Sequence, residues 1–230
     1  MYAPAEFKDF HELFEKLIQK YDVSVVFDDF MDYIIHRFSL EQDLPWNKEY
    51  TYEENLLFSD MFVECVKVMH QKFDVEGLPW YDFFGTYYEA EIINKFNKEM
   101  RKQFFTPPQI ADLLAELNTG AIKPGTTSND PTAGSGRCLL ALNTVRPGTW
   151  MIAQDLDLTC VKMCICNFLL HGIQGEVYWM NTLTKEVFGG WLVNGALSAT
   201  QGVPHVMKID LNDVNPVRME KQTSLSIFSK

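Results

Sequence analysis

No stretch of this 230-residue chain holds the roughly 18–20 consecutive apolar residues that a membrane span needs. The first residues, Met1-Tyr2-Ala3-Pro4-Ala5-Glu6, lack the basic and apolar segments of a secretion signal. Cysteine is sparse. There are five, an odd number, which argues against a disulfide framework and for a reducing compartment, so a cytoplasmic setting is expected. No internal repeat, low-complexity tract, P-loop or G-x-S-x-G nucleophile elbow occurs. Positive charge is also in short supply: 20 basic against 31 acidic residues give a net charge of −11. The acidity belongs to residues 1–100, with 9 basic and 21 acidic side chains, whereas residues 101–230 carry 11 and 10. Such a surface repels phosphate, so the chain is not expected to hold nucleic acid by charge alone.

What is present is the composition of a globular protein, 47% hydrophobic and 22% charged. Residues 1–100 read as an acidic helical region. Phe7, Phe10, Leu13, Phe14, Leu17 and Ile18 recur at helical spacing, as do Phe27, Phe30, Met31, Ile34, Ile35 and Phe38, and then Phe58, Met61, Phe62, Cys65, Val66 and Met69. Leu44-Pro45-Trp46-Asn47 and Gly77-Leu78-Pro79-Trp80 break the pattern. Aromatic stripes at this spacing face a core, and a bundle or cap is expected.

Residues 101–230 alternate short strands with helices. Thr106-Pro107-Pro108 resembles a helix start, with Ile110, Leu113, Leu114 and Leu117 as its expected buried face. Trp150-Met151-Ile152-Ala153, Val177-Tyr178-Trp179-Met180 and Trp191-Leu192-Val193 are strand candidates. Between the first two, Leu158, Val161, Ile165, Phe168 and Leu169 form one helical stripe that ends at Gly172. Strands separated by helices imply βαβ units and an α/β fold with a parallel sheet.

The sharpest local signal is Asp130-Pro131-Thr132-Ala133-Gly134-Ser135-Gly136, followed by the apolar run Cys138-Leu139-Leu140-Ala141-Leu142. Glycines two apart at a helix opening let backbone N–H groups approach a ligand closely, although a plain strand-to-helix turn would look the same. Some twenty residues on, Gln154-Asp155-Leu156-Asp157 follows the next strand. A carboxylate there can grip a ribose diol or cap the following helix, and Asp157 can do the second while Asp155 does the first. Cys160, Cys164 and Cys166 have no matching pair at zinc spacing, so they read as buried thiols and no metal is expected.

In this order and spacing the motifs resemble the adenine-specific DNA methyltransferases of the type I modification-subunit kind, over about Tyr81 to Leu197. Tyr81-Asp82-Phe83-Phe84-Gly85-Thr86-Tyr87-Tyr88-Glu89 is similar to a D-x-L-G-x-x-Y-E stretch. Gln103-Phe104-Phe105-Thr106-Pro107 resembles F-Y-T-P, Asp130 to Gly136 resembles D-P-A-C-G-S-G, and Asn181-Thr182-Leu183 resembles D-T-L. The resemblance implies a Rossmann-like S-adenosylmethionine-dependent methyltransferase domain behind the helical region, its sheet incomplete. It implies that Asp130 takes the cofactor's amino group and Asp155, beside Leu156, its ribose. Asn181 would then meet the adenine, Phe105 and Thr106 border the methionine end, and Thr132, Ala133, Gly134 and Gly136 line the loop.

The catalytic tetrapeptide of the family, N-P-P-F or N-P-P-Y, should end the fourth strand, where this chain has Asn194-Gly195-Ala196-Leu197. Asn194 is thus the expected acceptor of the target amine, without the rigidity of proline or the stacking aromatic. Asp213-Val214-Asn215-Pro216-Val217 is a second candidate. With 33 residues after Leu197, the chain resembles the cofactor half of a methyltransferase, truncated or completed by another chain. The implied function is methylation of the exocyclic amine of adenine in DNA within a modification or restriction-modification system. DNA would be reached through a partner or recognition subunit, with oligomerisation open. A non-catalytic S-adenosylmethionine-binding subunit and a methyltransferase for another substrate are the rivals.

Overall fold

The computed structural model describes residues 4–41, 49–92, 105–120, 126–210 and 212. The expected breaker at residues 44–47, the Gln103-Phe104 pair and the Asn215-Pro216 candidate lie outside these.

The first part is helical, as its periodicity requires. Helix α1 (Lys8–Ile18) buries Phe10, Phe14 and Leu17. Helix α2 (Val23–Phe38) starts at Asp22, whose carboxylate accepts the Ser24 amide, and buries Val26, Phe27, Phe30, Met31 and Ile34. Helix α3 (Tyr52–His70) opens with a reciprocal capping box between Thr51 and Glu54. A π-helical turn (Gln71–Val75) prolongs it, and Gly77-Leu78-Pro79-Trp80 separates it from the short α4 (Phe83–Tyr87), which runs into a second π-helical turn (Tyr88–Ile92).

The second part alternates as expected as far as β3, and two further strands follow with no helix between: α5 (Pro108–Asn118), β1 (Thr127–Asp130), α6 (Arg137–Val145), β2 (Trp150–Asp155), α7 (Leu158–His171), β3 (Gly175–Asn181), β4 (Glu186–Val193) and β5 (Val206–Lys208). Its sheet has the order β1-β2-β3-β4-β5. β1, β2 and β3 are parallel, with Asp130 beside Ala153 and Asp155 beside Trp179. This is an α/β fold carrying N-terminal helices. β4, however, runs antiparallel to β3, and β5 antiparallel to β4. The strand at Trp191-Leu192-Val193 is therefore the return arm of a hairpin. Only residues 182–185 join Asn181 to Glu186, far fewer than the dozen or so that a parallel crossover needs.

Helix α5 also differs from expectation. It buries Ala111 and Ala115, while Ile110, Leu113 and Leu117 are 46%, 53% and 71% exposed. The alanines allow α5 to lie close against α6, and apolar periodicity alone could not choose between the two faces. Helix α7 is buried nearly all round instead of along one stripe, because the sheet covers one side and α2 the other. Asp157 caps its start and Gly172, at φ 64°, ends it.

The expected division near residue 100 falls outside the described residues, yet the two parts share one apolar cluster that extends from Phe7 to Val206. Tyr87 of α4 meets Phe10 of α1 edge-on at 4.8 Å, and Phe83 meets Phe7 at 5.3 Å. No helix among the described residues is long and apolar enough to cross a membrane.

Candidate functional site

The three parallel strands end on one edge of the sheet, β1 at Asp130, β2 at Asp155 and β3 at Asn181. That is the edge where open α/β sheets bind ligands. From Asp130 the chain turns through Gly134 and Gly136, at φ 55° and 87°, into α6. Space demands glycine as firmly as the backbone does. A Cβ on Gly134 would lie 2.9 Å from the Phe105 ring, and one on Gly136 would lie 2.8 Å from the Cys164 sulfur.

Two carboxylates frame this turn. Asp155 Oδ2 accepts the Gly134 N–H at 2.8 Å and its Oδ1 accepts the Asp157 N–H at 2.9 Å. Asp130 Oδ1 accepts the Thr132 N–H at 3.1 Å, and the Ala133 N–H bonds the Gln154 carbonyl at 2.9 Å. Burial lifts the Asp130 carboxyl above its usual range, and the charge of Asp155 adds to this. Burial lifts Asp155 as well, with Asp157 adding. An opposite charge placed beside either carboxylate would favour its ionised form. Each carboxylate also keeps acceptor capacity, since an ionised carboxyl offers about four lone-pair sites.

Along the same edge, Leu156 is 60% exposed. Its carbonyl accepts the Trp179 indole N–H at 3.0 Å. Asn181 Oδ1 accepts the Leu183 and Thr184 amides at 3.0 and 3.1 Å, closing the hairpin turn. Asp130, Thr132, Ala133, Gly134, Gly136 and Asp155 thus come together with Phe105 and Thr106, while Leu156 and Asn181 stand further along.

Behind the turn lies a polar node that the sequence reading missed. Asp82, 2% exposed, accepts the Gly85 amide at 2.8 Å and the Asn167 side-chain amide at 2.7 Å on Oδ1. On Oδ2 it accepts the Ser135 hydroxyl at 2.5 Å and Arg137 Nε at 2.9 Å. A Cβ on Gly85 would fall 2.1 Å from Asp82 Oδ2, so only glycine permits this approach. A signal was available: Arg137 stands directly before the apolar run of residues 138–142, and a buried arginine requires a carboxylate.

Among the described residues, no three His, Cys, Asp or Glu side chains converge as metal ligands do. Cys160, Cys164 and Cys166 are buried, and burial pushes their thiols up. A separate cleft of about 510 Å³ opens between α2, α7 and β3–β5, walled by Trp179, Phe188 and Trp191, and it shares no residue with the glycine turn.

A family model described as N-6 DNA methylase matches residues 80–207, more than half of the chain, and spans the Asp82 node, the glycine turn and the sheet. The chain belongs to the N-6 DNA methylase family. Searches among curated proteins and among solved structures gave no significant match.

In this methylase, Asn194 does not stand where a target amine could reach it beside the turn. Val193 pairs with Gly175, the first residue of β3, so Asn194 lies at the opposite edge, roughly 20 Å away at about 3.3 Å per strand residue. The side chain is fully buried. Its Nδ2 donates to the carbonyls of Phe168 and Ile173 at 2.9 and 3.0 Å, and its Oδ1 accepts the His205 amide at 3.0 Å. The positive φ of 54° also suits asparagine. Asn194 locks the end of α7 to β5, a seat apart from the glycine turn beside which the catalytic role was expected. The physical reason is the hairpin, which reverses β4 and carries its end away from the site.

Proposed function

We propose that this methylase binds S-adenosylmethionine at the Asp130–Asp155 edge. It would be the cofactor-binding component of a DNA modification or restriction-modification system, with a partner subunit presenting the DNA. The observation that carries this reading is a left-handed glycine turn set between the Asp130 and Asp155 carboxylates, at the ends of two neighbouring parallel strands. Asp130 would hold the amino group and Asp155 the ribose diol. Leu156 and Asn181 would border the adenine, Phe105 and Thr106 the methionine end. Thr132, Ala133, Gly134 and Gly136 would bring the backbone close. The bound sulfonium supplies the methyl group that replaces a proton on adenine N6. The acceptor for the target amine then comes from Asn215, outside the described residues, or from the partner.

The seat of Asn194 favours a second reading, a subunit that binds the cofactor and performs no transfer of its own. Calorimetry with S-adenosylmethionine, followed by labelled-methyl transfer to unmethylated duplex DNA with and without neighbouring gene products, separates the two. Binding by the chain alone, with transfer once the partner is present, is the expected result. Absence of binding overturns both readings, and binding without transfer under every condition establishes the second.

A further inference from the structure

We propose that Arg137 is the positioning residue of the cofactor site, holding the Phe105–Thr106 wall against the glycine turn while Asp82 holds Arg137. This rests on the reading of that turn as the cofactor site. The guanidinium reaches three separate segments. Its Nε bonds Asp82 at the start of α4 at 2.9 Å, its Nη1 donates to the Thr106 carbonyl at 3.0 Å, and its Nη2 meets Glu89 at 3.0 Å. Its carbon lies 5.5 Å from the centre of the Phe105 ring, and that ring is the one that packs on Gly134. The Arg137 side chain is 5% exposed. Burial alone would lower its pKa, but the charges of Asp82 and Glu89 outweigh burial and hold it above the ordinary value.

A simple staple would need one carboxylate. Here the planar fork is divided between the carbonyl of the wall and two acids on the N-terminal side, a geometry that an ammonium cannot reproduce. Through Ser135, which donates to the same Asp82 oxygen as Arg137, the node also holds the middle of the glycine turn. The wall and the turn are thus referred to a single buried carboxylate. Neither Arg137 nor Asp82 has to touch the ligand. Their effect is to fix the distance between the two surfaces that do.

The test is Arg137→Lys, which keeps a cation for Asp82 and loses the reach to Thr106 and Glu89. The expected result is a fall in S-adenosylmethionine affinity of about tenfold or more, with a small change in melting temperature. Hydrogen exchange should also quicken at the Ile110 and Ala111 amides, which bond the Pro107 carbonyl beside the wall. Unchanged affinity and exchange with a lowered melting temperature would overturn the proposal and leave Arg137 a staple. If Arg137→Lys does not fold, the double variant Asp82→Asn with Arg137→Gln, which buries no unpaired charge, is read the same way. If the unaltered protein binds no S-adenosylmethionine, the cofactor reading fails. The exchange measurement still decides whether Arg137 orders the wall, and unchanged exchange overturns this proposal by itself.

Discussion

Asp155 and Gly134 are joined by a 2.8 Å hydrogen bond that ties the end of β2 to the turn leaving β1. The same carboxylate receives the Asp157 amide at 2.9 Å, at the start of α7. One side chain therefore shapes the turn before any ligand arrives.

Replacing Asp155 with alanine should weaken S-adenosylmethionine binding by roughly 1.5–3 kcal/mol, about ten- to a hundredfold. It should also loosen the turn, because two amides lose their acceptor. Calorimetry reads the first effect, and exchange at the Gly134 amide reads the second. Faster exchange with unchanged affinity would remove Asp155 from the ribose and leave it a loop anchor.

Asn194→Ala should act on the fold and spare the site. Three buried backbone partners lose their bonds, at about 1–3 kcal/mol for each group left unsatisfied and less than additively. The urea midpoint should drop by an amount equivalent to about 3 kcal/mol, while cofactor affinity at low temperature stays within a factor of about two. A stable variant that had lost only methyl transfer would contradict this.

Lowering the pH should affect binding and stability with opposite sign at Asp130 and Asp155. Burial raises both carboxyls in the folded chain, so the free protein takes up protons more readily than the unfolded one. Their contribution to stability is present at low pH and lost as pH rises through the raised values. The ammonium proposed at Asp130 and the diol proposed at Asp155 are both held best by the ionised carboxylate, so affinity should fall as pH drops through those same values, starting above the usual carboxylate range. Binding isotherms and denaturation midpoints across that window check both slopes, and parallel slopes would refute the assignment.

His171 gives an acid limit of a different origin. Burial lowers its pKa from 6.5. Nε2 accepts the Tyr81 amide and Nδ1 faces the Asn167 carbonyl, an arrangement that requires the neutral ring. The unfolded chain protonates first, so stability should fall as pH drops below about 6.5. His171→Gln should reduce stability at pH 8 and flatten that acid limb, as denaturation midpoints against pH would show.

Duplex DNA should bind weakly to the isolated chain at physiological salt, because residues 1–100 carry 21 acidic against 9 basic side chains. Tight binding with a steep salt dependence, measured by fluorescence anisotropy, would show a basic surface that the composition conceals.

The helical stripes, β2, β3 and the turn from Asp130 to Gly136 were legible because periodicity and glycine placement are local, whereas β1 has no apolar run to announce it. The fate of Asn194 was not legible either. Whether Trp191-Leu192-Val193 returns parallel or antiparallel depends on how the short segment after Asn181 is used, and the apolar pattern of a strand is blind to its direction. Helix α5 misled for a related reason, since Leu113 and Leu117 carry the stronger apolar signal while Ala111 and Ala115 make the contact. Asp82 and Arg137 lie 55 positions apart, and nothing in either neighbourhood names the other.

The shared aromatic cluster makes the family's span and the unit of folding different lengths. The match begins at residue 80, but Phe83 and Tyr87 find their ring partners in Phe7, Phe10 and Phe14. A polypeptide trimmed to the matched region would turn that aromatic face toward water and free the segment that carries Asp82. The acidic helices therefore supply part of the core on which the matched region packs.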